Sequence, residues 1–579
     1  QRELRAYPGV TAIVYDQTCA AEKRRRRKRG TFPDPQKRVV INDLVCEGCG
    51  DCSVQSNCLS VTPLETEFGT KRAIDQSSCN KDYSCLKGFC PSFVTVHGGK
   101  LRKSKAGART GTGENNWPAL SEPQLPDLDQ PYGILVTGVG GTGVVTIGAL
   151  LGMAAHIEGK GCSVLDMTGL AQKGGAVTSH VRLAERPEDL HAVRISAGGA
   201  RVVIGCDLVV AAGKDAISKI RPGVTRAVIN SHDTVTGEFT RNSTDYSFPH
   251  QMLEKTIAEA VGSANAVDGA SVDFVEATRV ATSLLGDSIA TNLFMLGYAW
   301  QKGMVPLKGE SIDAAIELNG VAVPFNKAAF LWGRRAAADL AAVEKTVEPP
   351  VPLETRKISE TLDEIVERRA VFLANYQDAA YAQRYRDLVE RVKSAEAGKA
   401  PGRSGLAEAV ARYGFKLMAI KDEYEVARLH ADPAFTAKLK QQFEGDYKIH
   451  FHLAPPLLAP RDPSTGHLKK REYGPWMLSA FRHLAKLKGL RGTALDIFGY
   501  TAERKMERKL LADYLSLVEE LSRALTQDNH ALAVKLATLP DKIRGFGHVK
   551  EANLERAKTE ETKLLESFRS PGATASAAE

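Results

Sequence analysis

Seven of the chain's ten cysteines fall between Cys46 and Cys90. Cys46, Cys49 and Cys52 stand at C-x2-C-x2-C spacing, which lets three thiolates take three corners of one cubane iron–sulfur cluster. In two-cluster iron–sulfur proteins the fourth cysteine of a run, typically followed by proline, ligates the other cluster. Cys90-Pro91 has that form. The second run reads Cys79-x2-Asp82-x2-Cys85, with a carboxylate in the middle ligand position. One 4Fe-4S cluster is therefore expected on Cys46, Cys49, Cys52 and Cys90. The second site would use Cys58, Cys79 and Cys85, with Asp82 as an oxygen ligand. A carboxylate is harder than a thiolate and holds iron less firmly. For this second site a full cluster, a cluster with one labile iron and no cluster at all stay open. Four thiolates would also satisfy structural zinc, but zinc sites usually pair two C-x2-4-C knuckles. A disulfide scaffold does not suit 579 residues with so few other cysteines.

The second constellation is Gly138-Val-Gly140-Gly141-Thr-Gly143, after the apolar run Tyr132–Thr137 and before the apolar stretch Val144–His156. Strand, glycine loop and helix in that order open dinucleotide-type folds, where the helix N-terminus offers amides and a positive dipole to an anion. A strand over Ser163–Met167 carries Asp166 where an acidic residue would hold a ribose hydroxyl. NAD(P) binding on Gly138–Gly143 and Asp166 is thus one reading, in which the clusters feed a dinucleotide. Against it, the glycine pattern is a weak signal, and a long polar loop is expected over Thr168–Arg182.

Composition sets the outer limits. With 43% hydrophobic and 25% charged residues the chain is ordinary globular material, long enough for three or four domains. No apolar run reaches the length of a membrane span, and no secretory leader opens the chain. Clustered free thiols fit a reducing cytoplasm. Of the net charge of +8, the run Lys23–Arg29 supplies seven. That run is read first as a solvated arm, or a surface for an acidic or phosphate-bearing partner. A nucleic-acid role is set aside, since no helix-turn-helix or aromatic-interleaved strand accompanies it.

These groups need elements to hold them. Residues 1–38 read as a helix end, a Pro8-Gly9 turn, a buried strand over Val10–Tyr15 and the basic run, the trailing edge of a preceding α/β domain. Residues 39–100 form the cysteine module, with a hairpin around Phe68–Ile74 and a closing strand over Phe93–Lys100. Residues 101–130 are a Pro-rich linker. Residues 131–345 form the glycine-loop domain, with later parallel strands expected at Leu208–Ala212 and Thr225–Asn230. Its helices are expected at Met252–Gly262, Val275–Leu285, Ala290–Gln301, Ser311–Leu318 and Pro324–Leu340. Residues 346–579 read as a mostly helical domain, with helices over Ser359–Lys393, Gly405–Ala419, Pro475–Leu487 and Thr501–Leu525. One alternating strand, Tyr447–Leu453, interrupts it. His450 and His452 share a face there, either a metal pair or part of a half-buried edge strand.

Cysteine module, Pro-rich linker and glycine-loop domain, in that order, resemble the 2-oxoacid:ferredoxin oxidoreductases, in particular their fused bacterial indolepyruvate-type members. The likeness rests on Tyr15–Arg29, Val45–Cys58, Ser78–Cys85, Gly174–Arg182, Asn292–Gly297 and Asn326–Phe330. It implies a multidomain α/β and α+β chain: a ferredoxin-like 4Fe-4S module, a Rossmann-like parallel α/β γ-type domain and a helical C-terminal domain. It further implies oxidative decarboxylation of an arylpyruvate with coenzyme A and ferredoxin, giving aryl-acetyl-CoA and CO2. Gly138, Gly140, Gly141, Gly143, Gln172, Lys173 and Arg182 become candidates for coenzyme A phosphates or substrate. In this family thiamine diphosphate, held with magnesium at a Gly-Asp-Gly segment, does the carbon chemistry. This sequence has no Gly-Asp-Gly and begins without methionine. The expectation is therefore an electron-transfer and γ portion that works with an upstream thiamine domain or subunit, in a homo-oligomer. No catalytic residue is assigned from the sequence.

Overall fold

The computed structural model describes residues 3–16, 18–102, 117–141, 143–169, 175–234, 248–262, 271–347, 358–456, 459–464 and 466–569. Their strands are β1 (Lys37–Ile41), β2 (Val61–Leu64), β3 (Lys71–Ile74), β4 (Phe93–Leu101), β5 (Tyr132–Val139), β6 (Gly161–Thr168), β7 (Ala176–Ala184), β8 (Val202–Gly205), β9 (Arg226–Asn230), β10 (Val272–Val275), β11 (Phe443–Leu453) and β12 (Arg471–Tyr473). Two compact units result, one from the described residues within 1–35, 103–237 and 247–349, the other from those within 36–102 and 350–579.

The first unit is built on a six-stranded sheet in the order β10-β9-β8-β5-β7-β6. Four strands, β10, β9, β8 and β5, are mutually parallel as expected. β7 runs antiparallel to both β5 and β6, so the sheet is mixed. Much of the span read as a polar loop after Asp166 is therefore strand. Its Val177, Ser179, Val181 and Leu183 are all buried, the period-two signature of a pleated surface. The expected strand Leu208–Ala212 is a single helical turn, Leu208–Ala211, because the Asp207 carboxylate caps it by accepting the Val210 N–H at 2.8 Å. The strand lies just before it, at Val202–Gly205. The central helix Thr291–Gln301 is buried almost all round, and lies against the Val323–Ala338 helix where Gly297 and Gly333 allow backbone approach. Residues 10–15, expected as a buried strand, are irregular and exposed, with Val10, Val14 and Tyr15 open to solvent. The basic run forms the Ala20–Lys28 helix, in which Glu22 pairs with Arg26 at 3.2 Å.

The second unit joins the cysteine stretch to the C-terminal helices through an antiparallel sheet, β1-β4-β11-β12. β11 was expected at an edge; it lies inside the sheet, with β4 on one side and β12 on the other. Around it pack Glu423–Ala431, Pro433–Gln442 and Met477–Lys486, whose apolar faces bury Phe435, Leu439, Phe451 and Phe481. The helix expected over Ser359–Lys393 is two helices, Leu362–Tyr376 and Ala379–Lys399. The break comes at Asp378, whose carboxylate accepts the Tyr381 N–H at 2.8 Å and starts a new helix. Longer helices Ala502–Ala524 and His548–Arg569 complete the bundle. The linker residues 103–116 and the Pro-rich boundary at 348–357 lie outside the described residues. Among the described residues no helix is long and apolar enough to cross a membrane.

A buried histidine joins the two halves of this unit. His430 donates from Nε2 to the Pro91 carbonyl at 2.8 Å, and its Nδ1 accepts from the Asn42 amide at 3.2 Å. Burial holds its pKa down to about 4 from an ordinary 6.5, and burial does the same to His452. A base with a lowered folded pKa stays neutral while the unfolded chain takes up a proton, so this stability is present above pH 6.5 and is lost as pH falls toward 4. Denaturant melts across that range should show this decline, and His430→Phe should flatten part of it. A wild-type stability that is level from pH 7 to 4 would refute the assignment.

Candidate metal centre

The cysteine runs are positioned by tight backbone. Gly50, at φ 77°, caps the Asp51–Ser56 helix that carries Cys52. Gly88 lies against Cys52, and a Cβ there would stand 2.8 Å from the Cys52 Cα, so only glycine lets the Cys90 arm approach this closely. The Asp51 carboxylate fixes that arm by accepting the Phe89 N–H at 2.6 Å. As a result Cys46, Cys49, Cys52 and Cys90 line a single cavity, together with Arg72, Ser92 and Phe93. The four residues expected as ligands of one cluster thus converge, although Cys90 lies 38 residues beyond Cys52.

The donor chemistry suits a cluster. The Cys46 Sγ accepts the Gly48 N–H at 3.3 Å, and the Cys90 thiol lies 2.9 Å from the Ser92 hydroxyl. Burial, reinforced by neighbouring thiols, pushes Cys49 and Cys52 above the ordinary thiol range, and a bound cation would favour their thiolates. Four thiolates on one zinc at about 2.3 Å would bring the sulfurs within about 3.8 Å of one another. Among the described residues the one group of three or more ligand atoms mutually within 4.8 Å is His97, His450 and Glu472, which contains no cysteine. A cubane takes its four thiolates at separate corners, a role that the C-x2-C-x2-C run and Cys90 suit.

Cys58, Cys79 and Cys85 pack against the same apolar core. The Cys79 Sγ accepts the Lys81 N–H at 3.4 Å. Burial pushes Cys85 up to about 12, with further effects from Cys79, Cys58 and Asp82, which places these four groups together. Asp82 is exposed, and its Oδ1 accepts from the Ser84 hydroxyl at 2.9 Å and the Ser84 N–H at 3.2 Å. It is the most solvent-accessible member of the set.

Lys470 was not foreseen. It donates to the Cys90 carbonyl at 3.3 Å, and its charge acts on Cys90, Cys52 and Cys85, members of both thiol sets. Nothing local marks it, since it is 380 residues from Cys90. His450 and His452, read as a pair, take different partners. His450 meets Glu472 at 2.8 Å beside His97, while His452 bonds Thr95 at 3.0 Å. Lys37 holds the other Glu472 oxygen at 2.8 Å.

In the other unit the glycine loop follows β5. Gly143, at φ 95°, caps the Val144–Ile157 helix, and the Gly140 N–H goes to the Gly175 carbonyl at 2.7 Å. Asp207, unpredicted, lies just after β8 and reaches the end of β5, its Oδ2 accepting the Val139 N–H at 2.7 Å; burial raises its pKa. Asn292 is buried against Gly143 with its Oδ1 unsatisfied. Asp166 borders a cleft of about 740 Å³ with Val139, Thr168, Thr178 and Lys214. β7 lies between β5 and β6, which sets Asp166 two strand spacings, about 10 Å, from β5. Arg182 pairs with Gly133 at the opposite end of β5 from Gly138, roughly 16 Å away, and donates to the Ala192 carbonyl. The fold does not bring it to the glycine loop. Gln172 and Lys173 lie outside the described residues.

Residues 133–336 match the family described as pyruvate ferredoxin/flavodoxin oxidoreductase, and residues 362–563 match a family of unknown function (DUF6537). The indolepyruvate oxidoreductase subunit IorB of Thermococcus kodakarensis is 27% identical over 211 residues, covering 36% of this chain and 97% of its own length. Among solved structures, the pyruvate oxidoreductase subunit PORC of Thermotoga maritima is 18% identical, covering 36% of this chain and 97% of its own, with a TM-score of 0.27. The keto/oxoacid ferredoxin oxidoreductase gamma subunit of Geobacter sulfurreducens is also 18% identical, covering 36% and 98%, with a TM-score of 0.25.

Proposed function

We propose, on the premise that this chain belongs to the 2-oxoacid:ferredoxin oxidoreductase family, that it is the electron-transfer and γ portion of an arylpyruvate-oxidising member. One observation carries the reading: Cys46, Cys49, Cys52 and Cys90 converge on one cavity, with three of them at the C-x2-C-x2-C spacing that suits a cubane. These residues would hold a 4Fe-4S cluster, and Cys58, Cys79, Cys85 and Asp82 a second. Such clusters carry single electrons, here outward to ferredoxin at the low end of their potential range. Thiamine diphosphate with magnesium would supply the carbon chemistry from a portion that bears the Gly-Asp-Gly this sequence lacks, on the same or another polypeptide.

Within the cysteine-bearing unit the protein's part is to hold the thiolates, exclude water and set the local field. Arg72 and Lys470 place positive charge beside the first set, which offsets the negative charge gathered by its thiolates. In the γ domain the N-terminus of the Val144–Ile157 helix is the proposed seat for a coenzyme A phosphate, since the Val139 and Gly140 amides are already held by Asp207 and Gly175.

The test is anaerobic purification followed by iron and acid-labile sulfide analysis, then reduction by indolepyruvate with coenzyme A. Bound iron and sulfide are expected in the chain alone, and substrate-dependent reduction only when a thiamine-bearing portion is added. Turnover of indolepyruvate by the chain alone, with a viologen dye as acceptor, would show that this division of labour is wrong. Tight NADH binding lost in Asp166→Ala would move the assignment to an NAD(P)-linked subunit.

Asp82 gives a sharper prediction. An exposed carboxylate should hold its iron least firmly, so mild oxidation is expected to yield a three-iron signal by electron paramagnetic resonance. Asp82→Cys should suppress that signal, because a thiolate is the softer ligand. The same three-iron signal in the variant would remove Asp82 from the ligand set.

A further inference from the structure

The cysteine-bearing unit contains a larger cavity next to the first thiol site, and Glu47 borders both. Six cationic and four acidic side chains line it. Most of these charges are matched within the protein. Arg369 meets Glu67, Lys421 meets Glu47 at 2.7 Å, and Arg412 meets Glu408 at 2.9 Å.

Lys71 and Lys416 are the exceptions. Lys71 is 8% exposed, and among the described residues its ammonium meets no hydrogen-bond acceptor or ion-pair partner. Glu47, the carboxylate that acts on it, is already held by Lys421. Among the described residues Lys416 donates to the Pro540 and Asp541 carbonyls, at 2.8 and 3.0 Å, and no carboxylate lies within ion-pair distance, although the Glu47 and Asp541 charges reach it. Arg544 also lines the cavity, its Nε donating to the Asp541 carbonyl and its Nη2 to the Asp541 carboxylate, both at 2.7 Å, which leaves Nη1 for a ligand. Burial lowers the pKa of Lys71 to about 8 and of Lys416 to about 7. A buried ammonium without a counter-ion is costly, and an anion in the cavity would relieve that cost. Aromatic rings share the lining: Phe68 packs against Phe372 and Phe415 at centroid distances of 5.2 and 5.3 Å.

We propose that this cavity binds a small organic anion, with a phosphate or carboxylate group between Lys71, Lys416 and Arg544 and a flat ring against Phe68 and Phe372. The site does not depend on either thiol set holding a cluster. An occupant would sit beside Glu47, one residue from Cys46.

Calorimetric titration of the full, anaerobically purified chain tests this with two probes, adenosine diphosphate and phenylacetate. Saturable binding of one per chain is expected for one of them, and which one tells a phosphate ligand from a carboxylate ligand. Lys71→Met and Lys416→Met should each weaken it by about tenfold or more, while the exposed Lys448→Met should not. Amine labelling of the unaltered protein gives a second readout that no folding defect can confuse. At a ligand concentration ten times Kd, acetylation of Lys71 and Lys416 should slow about tenfold. No saturable binding of either probe, or binding that leaves both lysines unprotected, would overturn the proposal.

Discussion

Cys46→Ser is expected to remove the first iron–sulfur centre and to lower the iron content by about four atoms per chain. The thiol is buried, its Sγ accepts the Gly48 N–H, and Lys421 fixes the surrounding backbone through the Val45 and Cys46 carbonyls at 3.3 and 3.1 Å. A serine oxygen placed there is shorter and harder than the thiolate, so it cannot reach a cubane corner with comparable strength. Cys90→Ser should do the same, and Cys85→Ser should leave the first centre's spectrum in place. A full iron complement in Cys46→Ser, with an unaltered spectrum, would break the assignment of Cys46, Cys49, Cys52 and Cys90 to one cluster.

The second large effect concerns stability. Glu67 and Arg369 are almost wholly buried and paired with each other. The guanidinium also donates to the Glu67 carbonyl at 2.8 Å, and the carboxylate accepts the Ser359 N–H at 2.7 Å. Glu67→Leu would leave an arginine buried with no counter-ion and should destabilise the cysteine-bearing unit by about 3–5 kcal/mol. Arg369→Met should act similarly, and the double variant should recover much of the loss because neither charge is then stranded. Burial alone would raise the Glu67 pKa, but Arg369 and Ser359 outweigh it and hold the carboxyl low. The pair's stabilisation is therefore present at neutral pH and is lost as pH falls through that lowered value. Chemical denaturation of the three variants measures all of this, and a loss below 1 kcal/mol in both single variants would contradict it.

What could be read from the sequence was what is local. The C-x2-C-x2-C run and Cys90-Pro91 carry their chemistry in their spacing, and the glycine loop announces strand and helix on either side. Their convergence in space agrees with that reading. β7 was missed because Ala176–Ala184 mixes Thr, Ser, His and Arg with its apolar residues, and its alternation was outweighed by polarity; a stricter period-two count would have found it. Asp207 had a local signal, an acidic residue directly before Leu-Val-Val-Ala, which is where a helix cap stands. Lys470, Arg369 and Lys416 had none. Each acts on a group more than 300 residues away, and no periodicity encodes such a distance.

The place of β11 beside β4 bears on the order of events during synthesis. Phe443 pairs with Leu101 and Phe451 with Val94, so the sheet backing the thiol sites closes through contacts about 350 residues apart in the chain. At roughly 5–20 residues per second, the ribosome needs about 20–70 s after making β4 before β11 exists. Throughout that interval β4 lacks its partner strand, and for most of it Pro91 lacks the histidine that anchors its carbonyl. A nascent chain stalled before residue 443 would hold the seven thiols of Cys46–Cys90 without this sheet closed, and any metal bound in the proposed cradle would enter its finished form late.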